Sequence, residues 1–582
     1  MFMDNVEQIV GQMSEKAVQK CLCELARRLT EKEQEDFLQL LLEYSDAYGK
    51  QENNSAIKTR KRKMSQDFVD HNIKLLNDWL ENIENGELQL KADGYESYSE
   101  DYWNPDWIWE YSDPDNIGGK LTAMLEFAKK CVYDYRYEEA LLLYDTILDI
   151  CVGVENDCDY FEMDLEGLIK EEILCIDLKE LALLVLYTDY QVQLPNKRAK
   201  DIYTYFRYGY FKNIHVEDMF RMGREQLKGE SQFWNDWIEV LSEHNGDMEA
   251  RLLKEAVLFY KGTEALVDIA EKSYVKHPSL YLSAIQELEK NHDYERIESV
   301  ADAALDHIGD TLRVRGKVAL QAGLAAYYRG DLEKAWEYWY QTYFSDSTVQ
   351  NYLRLFGWRN CALTYGIKAK GLLKTRQECD KYIQKNEEMQ ENIIDRETCI
   401  YLKFFAGKFD EIKKSCNNTP NSLGWSSSFI KKGVKLFLLY FYQGLDLGKS
   451  TLGIAEEFNN EFGFANNVKG FNKLEVIENT KSSNNFWKAF QDWRIYFPIE
   501  EAEKKKYLLW LEDLVDKRVK AIVGGKFNNH YGSVAQLASA MGEVKESLGE
   551  KGAKQEILLH YKKTFPRHSS FHEALRMQGG IF

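Results

Sequence analysis

The stretch that most constrains the fold is residues 311–345, TLRVRGKVALQAGLAAYYRGDLEKAWEYWYQTYFS. Leu320, Leu324, Tyr328, Leu332, Trp336 and Trp339 recur at helical spacing, and Gly330-Asp331 interrupts the pattern. Glycine enters a tight or left-handed turn without a Cβ penalty, and the aspartate after it can cap the amides that open a second helix. Gly323 and Ala335 put small side chains on either side of that turn, where two antiparallel helices must approach closely. The stretch predicts a helical hairpin with Trp336 and Trp339 in its core and Tyr338 more exposed.

The same relative spacing returns elsewhere. Residues 123–148 place Ala128, Tyr137, Ala140, Tyr144 and Ile147 in the corresponding positions. Residues 281–305 place Tyr294, Ile297, Ala301 and Ala304 there, with Ile285 where the small residue would stand, and residues 401–416 offer Gly407, Phe409, Ile412 and Cys416. Irregularly spaced copies of one helical hairpin predict stacked helical pairs.

The central hairpin resembles the tetratricopeptide (TPR) motif, with Gly323, Gly330, Asp331, Leu332, Ala335 and Trp339 at its positions. Ser347 stands where that family has proline after the second helix. The resemblance implies an α-solenoid, a fold in which each repeat touches only its neighbours. The tail, with Arg518, Val519, Tyr531, Ala535, Leu537, Tyr561, Phe565, Pro566, Arg567 and Phe571, resembles the helical end of bacterial SWIM zinc-finger proteins. The finger itself is missing: Cys21-Leu22-Cys23 has no Cys-x-His partner, so neither zinc nor a nucleic-acid role carries over.

Composition agrees with helices. Only seven prolines occur in 582 residues, and proline removes a helical donor. The expected fold class is all-α, an α-solenoid of degenerate TPR-like hairpins with helical modules at both ends. The expected divisions are a helical module over residues 1–90, an acidic and aromatic irregular segment over 91–117, the solenoid over 118–462 and a C-terminal helical module over 463–582. Residues 1–49 read as two helices, residues 65–85 as a third stopped by Gly86, and residues 466–485 as a linker.

A net charge of −20 repels bulk nucleic acid, so a nucleic-acid partner is disfavoured unless a local basic face overrides the field. Lys58, Arg60, Lys61, Arg62 and Lys63 form one basic loop, read chiefly as solvated. No apolar run reaches the eighteen or so residues that span a bilayer. The segment Leu181 to Tyr187 suits a buried helix instead. The opening residues lack a secretion signal, and the ten cysteines form no secreted-type framework, so the expected location is cytoplasmic.

Residues 93–119 interleave acids with Trp103, Trp107, Trp109 and other aromatics, either as a cover on the neighbouring hairpin or as an exposed contact surface. No catalytic set assembles. GLDLGKST, residues 444–451, has three residues where a phosphate loop needs four before Gly-Lys, and reads better as a helix turn capped by Ser450 or Thr451. His568 and His572 share a helical face without the further ligands zinc needs. No metal and no cofactor are expected.

The resulting expectation is a non-enzymatic scaffold or adaptor that holds a protein or peptide partner on the concave face of the solenoid. Tyr327, Tyr328 and Tyr338, with Trp103, Trp107 and Trp109, are its candidate contacts. The alternative is a regulatory subunit of a nucleic-acid-processing or defence assembly, touching nucleic acid or its enzyme through the basic loop or the C-terminal module.

Overall fold

The computed structural model describes residues 64–97, 106–155, 160–310, 312–357, 396–417, 423, 425, 429–465, 468–471 and 484–582. The chain divides into two compact units, residues 1–74 and 75–582, and only residues 64–74 of the first are described. The helices expected in residues 1–49, the basic loop Lys58, Arg60, Lys61, Arg62 and Lys63, Cys21, Cys23 and Trp103 all lie outside the described residues.

The described structure is mostly helical. Helix α1, Gln66–Glu84, occupies the span expected of it, and Gly86 takes a φ of +73° just beyond its end. The chain is not purely α, however. Strands β1, Leu90–Ser97, and β2, Asp106–Ser112, pair antiparallel. Next come helices α2, Ile117–Tyr133, and α3, Tyr137–Leu148, followed by strands β3, Cys151–Glu155, and β4, Tyr160–Asp164. The sheet order is β2-β1-β3-β4, with β1 parallel to β3 and β3 antiparallel to β4.

The segment expected to be irregular therefore contains a β-hairpin. Its prolines exclude a long helix, but DWIWEYS alternates Trp107, Trp109 and Tyr111 with Ile108 and Glu110, the period of a strand. Gly94 lies directly across from Trp109, and a Cβ there would meet the indole at 2.7 Å. The missing side chain gives the ring room to lie flat on its neighbour strand.

Helix α4, Leu165–Lys170, leads to α5, Leu178–Val192, where Leu181 to Tyr187 are all buried as their hydropathy requires. Helix α6, Arg198–Tyr205, and two short 3₁₀ turns follow.

A continuous stack then begins with α7, Glu230–Glu243, α8, Asp247–Tyr260, α9, Thr263–Ser273, and α10, Ser279–Lys290. It continues through α11, Tyr294–His307, α12, Arg313–Tyr328, and α13, Leu332–Ser345. Each helix packs on the next, and α8, α9 and α10 also each pack on the next but one. Gly330 makes the α12–α13 turn at a φ of +87°, and the Asp331 side chain accepts a hydrogen bond from the Lys334 N–H at 3.0 Å. At the other end Thr348, where the chain leaves the hairpin, caps the short helix α14, Val349–Arg354, by accepting from the Asn351 N–H at 3.1 Å.

Beyond residue 395 lie α15, Arg396–Phe405, α16, Phe409–Asn417, α17, Ile430–Phe441, and α18, Lys449–Glu461. The last group is α19, Asn485–Arg494, α20, Glu501–Gly524, α21, Tyr531–Ser547, α22, Ala553–Thr564, and α23, Ser569–Met577. Phe404, Phe437, Phe490 and Trp493 fill the space between α15, α17 and α19, and α21 packs against both α17 and α18.

Candidate functional site

A cleft of about 700 Å³ opens where α11, α12 and α13 meet. Its charged groups divide into those the protein satisfies itself and those it leaves to solvent.

Arg315, in the first turn of α12, is almost wholly enclosed. Its Nε and Nη2 donate to the Leu305 carbonyl at 3.3 and 3.2 Å, and Nη1 donates to Gln341 Oε1 and Ser345 Oγ at 3.1 and 3.0 Å. Lys334, in the first turn of α13, lies 2.8 Å from Glu298 Oε2 and 3.7 Å from Asp302. Glu298 is buried and also holds Arg329 at 2.8 Å, so one α11 carboxylate gathers two cations from the α12–α13 turn. The hydrogen bond that Lys334 donates to Glu298 holds its ammonium well above the usual lysine range, despite its partial burial.

Tyr338 donates to Asp302 Oδ1 at 2.6 Å, and Lys334 lies over its ring. Burial, with the Asp302 hydrogen bond second, raises its hydroxyl pKa. Expected to be the more exposed residue, Tyr338 is in fact 5 % exposed. Lys334 covers its ring from α13 itself, while Asp302 comes from α11, a contact invisible in the period of α13. Trp336 and Trp339 are each 1 % exposed, in the core as expected. The Trp336 indole donates to the Leu355 carbonyl at 3.1 Å, and the half-buried Tyr340 packs on it with ring centroids 5.6 Å apart. Asp306 and Glu337 complete the rim, both exposed.

Tyr327 and Tyr328 do not line the cleft. They are 38 % and 59 % exposed near the α12–α13 turn, where Tyr328 stacks on Tyr294 at 5.2 Å and sits 5.6 Å from Tyr327. Trp107 lies in β2, its side chain outside the described residues. Trp109 is half-buried against Gly94 and the edge of Phe161, ring centroids 6.5 Å apart. It packs within the sheet, away from the α11–α13 cleft.

The glycine-rich stretch 444–451 does open a helix, but Gly448, not Ser450 or Thr451, is its N-cap. The acceptor comes from α21. Glu543 Oε1 accepts from the Ser450 N–H at 3.1 Å, and Oε2 accepts from the Thr451 N–H and hydroxyl at 2.9 Å each. An internal carboxylate thus sits where an anion would be drawn by the helix N-terminus. Lys554 donates to Glu543 at 2.7 Å. Sequence reasoning missed Glu543 because no local spacing connects it to α18.

His568 Nδ1 lies 3.2 Å from the Tyr531 hydroxyl, and His572 Nε2 lies 2.8 Å from the Phe565 carbonyl. Each is engaged by its own fold. Among the described residues no group of three His, Cys, Asp or Glu side chains is placed to hold a metal ion, and no helix is long and apolar enough to cross a membrane. Compared with known proteins, the chain matches no family model and no curated protein.

Proposed function

We propose that this chain is a protein-interaction scaffold, a TPR-like solenoid that seats a segment of a partner protein in the α11–α13 cleft. One observation carries the reading: stacked helical pairs form an open cleft of about 700 Å³ whose wall holds a half-buried tyrosine and whose own cations are already engaged inside the protein. Stacked hairpins of this kind present extended binding surfaces, and tyrosine gives large contact area at low entropic cost. Binding without turnover fits a site in which Arg315 and Lys334 serve α11 and α13 as structural cations. Among the described residues the thiols of Cys131, Cys151, Cys175 and Cys416 support a cytoplasmic setting.

The test is affinity capture from host lysate treated with nuclease, using the wild-type chain beside Tyr340→Ala. A protein retained by the wild type and lost by the variant supports the scaffold. Identical recovery by both, or recovery that depends on nucleic acid, overturns it.

A further inference from the structure

The charges around the cleft are unequally satisfied, and the inequality identifies what the cleft would hold. Resting on the scaffold reading above, we propose that the α11–α13 cleft recognises an arginine-bearing segment of the partner, with the guanidinium between Tyr340 and the carboxylates of Asp306 and Glu337.

The cations cannot serve a ligand. Arg315 has its Nε and both Nη nitrogens in hydrogen bonds to Leu305, Gln341 and Ser345, and Lys334 is held by Glu298 and Asp302. An anionic ligand would have to break those pairs and leave Glu298, a carboxylate only 3 % exposed, without one of its counter-ions. The carboxylates differ. Asp306 and Glu337 line the same cleft, are exposed, and make no ion pair among the described residues. Among the described residues no ion pair balances their charge in the cleft lining, so the electrostatic complement is a cation.

The aromatic wall narrows the class of cation. Tyr340 is half-buried with its ring set on Trp336 at a 30° tilt, which fixes the ring in the same lining as the two carboxylates. A planar guanidinium stacks on such a ring and keeps its edge donors for carboxylates, whereas an ammonium is a strongly hydrated point charge. An overall charge of −20 would speed the approach of any basic segment, and the cleft supplies a ring and carboxylates on which it can settle.

The probe is a fluorescein-labelled tetra-arginine peptide, compared with its tetra-lysine and tetra-citrulline counterparts by fluorescence anisotropy on the full chain at low salt. Citrulline keeps the shape and removes the charge. Asp306→Asn/Glu337→Gln, both exposed positions, should weaken the arginine peptide about tenfold. The control Glu501→Gln/Glu550→Gln removes the same charge from exposed positions elsewhere and should leave affinity within about twofold. Tyr340→Ala should bring the arginine peptide down to the affinity of the lysine peptide.

Equal weakening by the cleft and control pairs, or citrulline binding as tightly as arginine, overturns the proposal. The scaffold reading fails separately: a partner lost by Tyr340→Ala whose bound segment carries no arginine would leave the scaffold standing and sink only the arginine assignment.

Discussion

Glu543 and Thr451, on helices α21 and α18, are joined twice: one carboxylate oxygen of Glu543 accepts both the backbone N–H and the hydroxyl of Thr451, each at 2.9 Å. The α18 N-terminus is thereby closed by a residue 92 positions away. Burial alone would push the Glu543 carboxyl up, but the hydrogen bonds from Lys554, Thr451 and Ser450 outweigh it and hold the group below the usual glutamate range. A depressed carboxylate contributes stability that is present above its unfolded pKa and lost as pH falls through its folded one. Glu543→Gln should therefore cost about 1–3 kcal/mol at pH 7, with the deficit shrinking below pH 4. Urea denaturation of the variant beside Glu550→Gln at both pH values measures this, and an equal effect of the two substitutions would remove the lock from the account.

Gly323 is the second sensitive position. A Cβ built there would stand 2.3 Å from the Trp339 Nε1 and 2.6 Å from its Cδ1. Trp339 is 1 % exposed, so its ring has nowhere to retreat without moving the α12–α13 crossing. Gly323→Ala should destabilise by about 1–3 kcal/mol despite alanine's better helix propensity. A thermal melt with unchanged or raised stability would show that the crossing is looser than described.

Asp189 predicts a pH effect of opposite sign. It is 2 % exposed on α5, and its Oδ1 accepts from Gln193 at 3.1 Å. Burial pushes its carboxyl up to about 7, with Asp201 and Asp145 adding to the shift and the Gln193 and Tyr205 hydrogen bonds opposing it. A raised folded pKa means stability that is complete below the unfolded value near 3.8 and lost as pH rises through about 7. Asp189→Asn holds the neutral form, so its stability relative to wild type should rise between pH 5 and pH 8. A pH-independent difference would mean that the carboxyl ionises in the fold without penalty.

The helical hairpins were legible because their signals are local. Gly330-Asp331 fixes one turn, the 3.6-residue period fixes the faces, and Ala128, Ala140, Tyr144 and Ile147 are buried where the spacing puts them. The sheet was hidden. Strand β1, LKADGYES, carries Gly and Asp that disfavour strands, and its parallel partner β3 follows two helices later, so the pairing is a long-range event with no local mark. The cleft was half legible: Tyr338 and Trp336 stood out, but Asp302, Asp306 and Arg315 come from other helices and acquire meaning only in the stack. The Glu543 cap had no sequence signal beyond the incomplete phosphate-loop pattern it occupies.

The account's central claim, that a partner is seated in the α11–α13 cleft, is tested most directly by site-specific photo-crosslinking in the host. A photoreactive residue at position 340 should join the chain to a protein partner, and the same residue at position 509, where Leu509 is 67 % exposed on α20, should not. No adduct at position 340, or the same adducts at both positions, would contradict the claim.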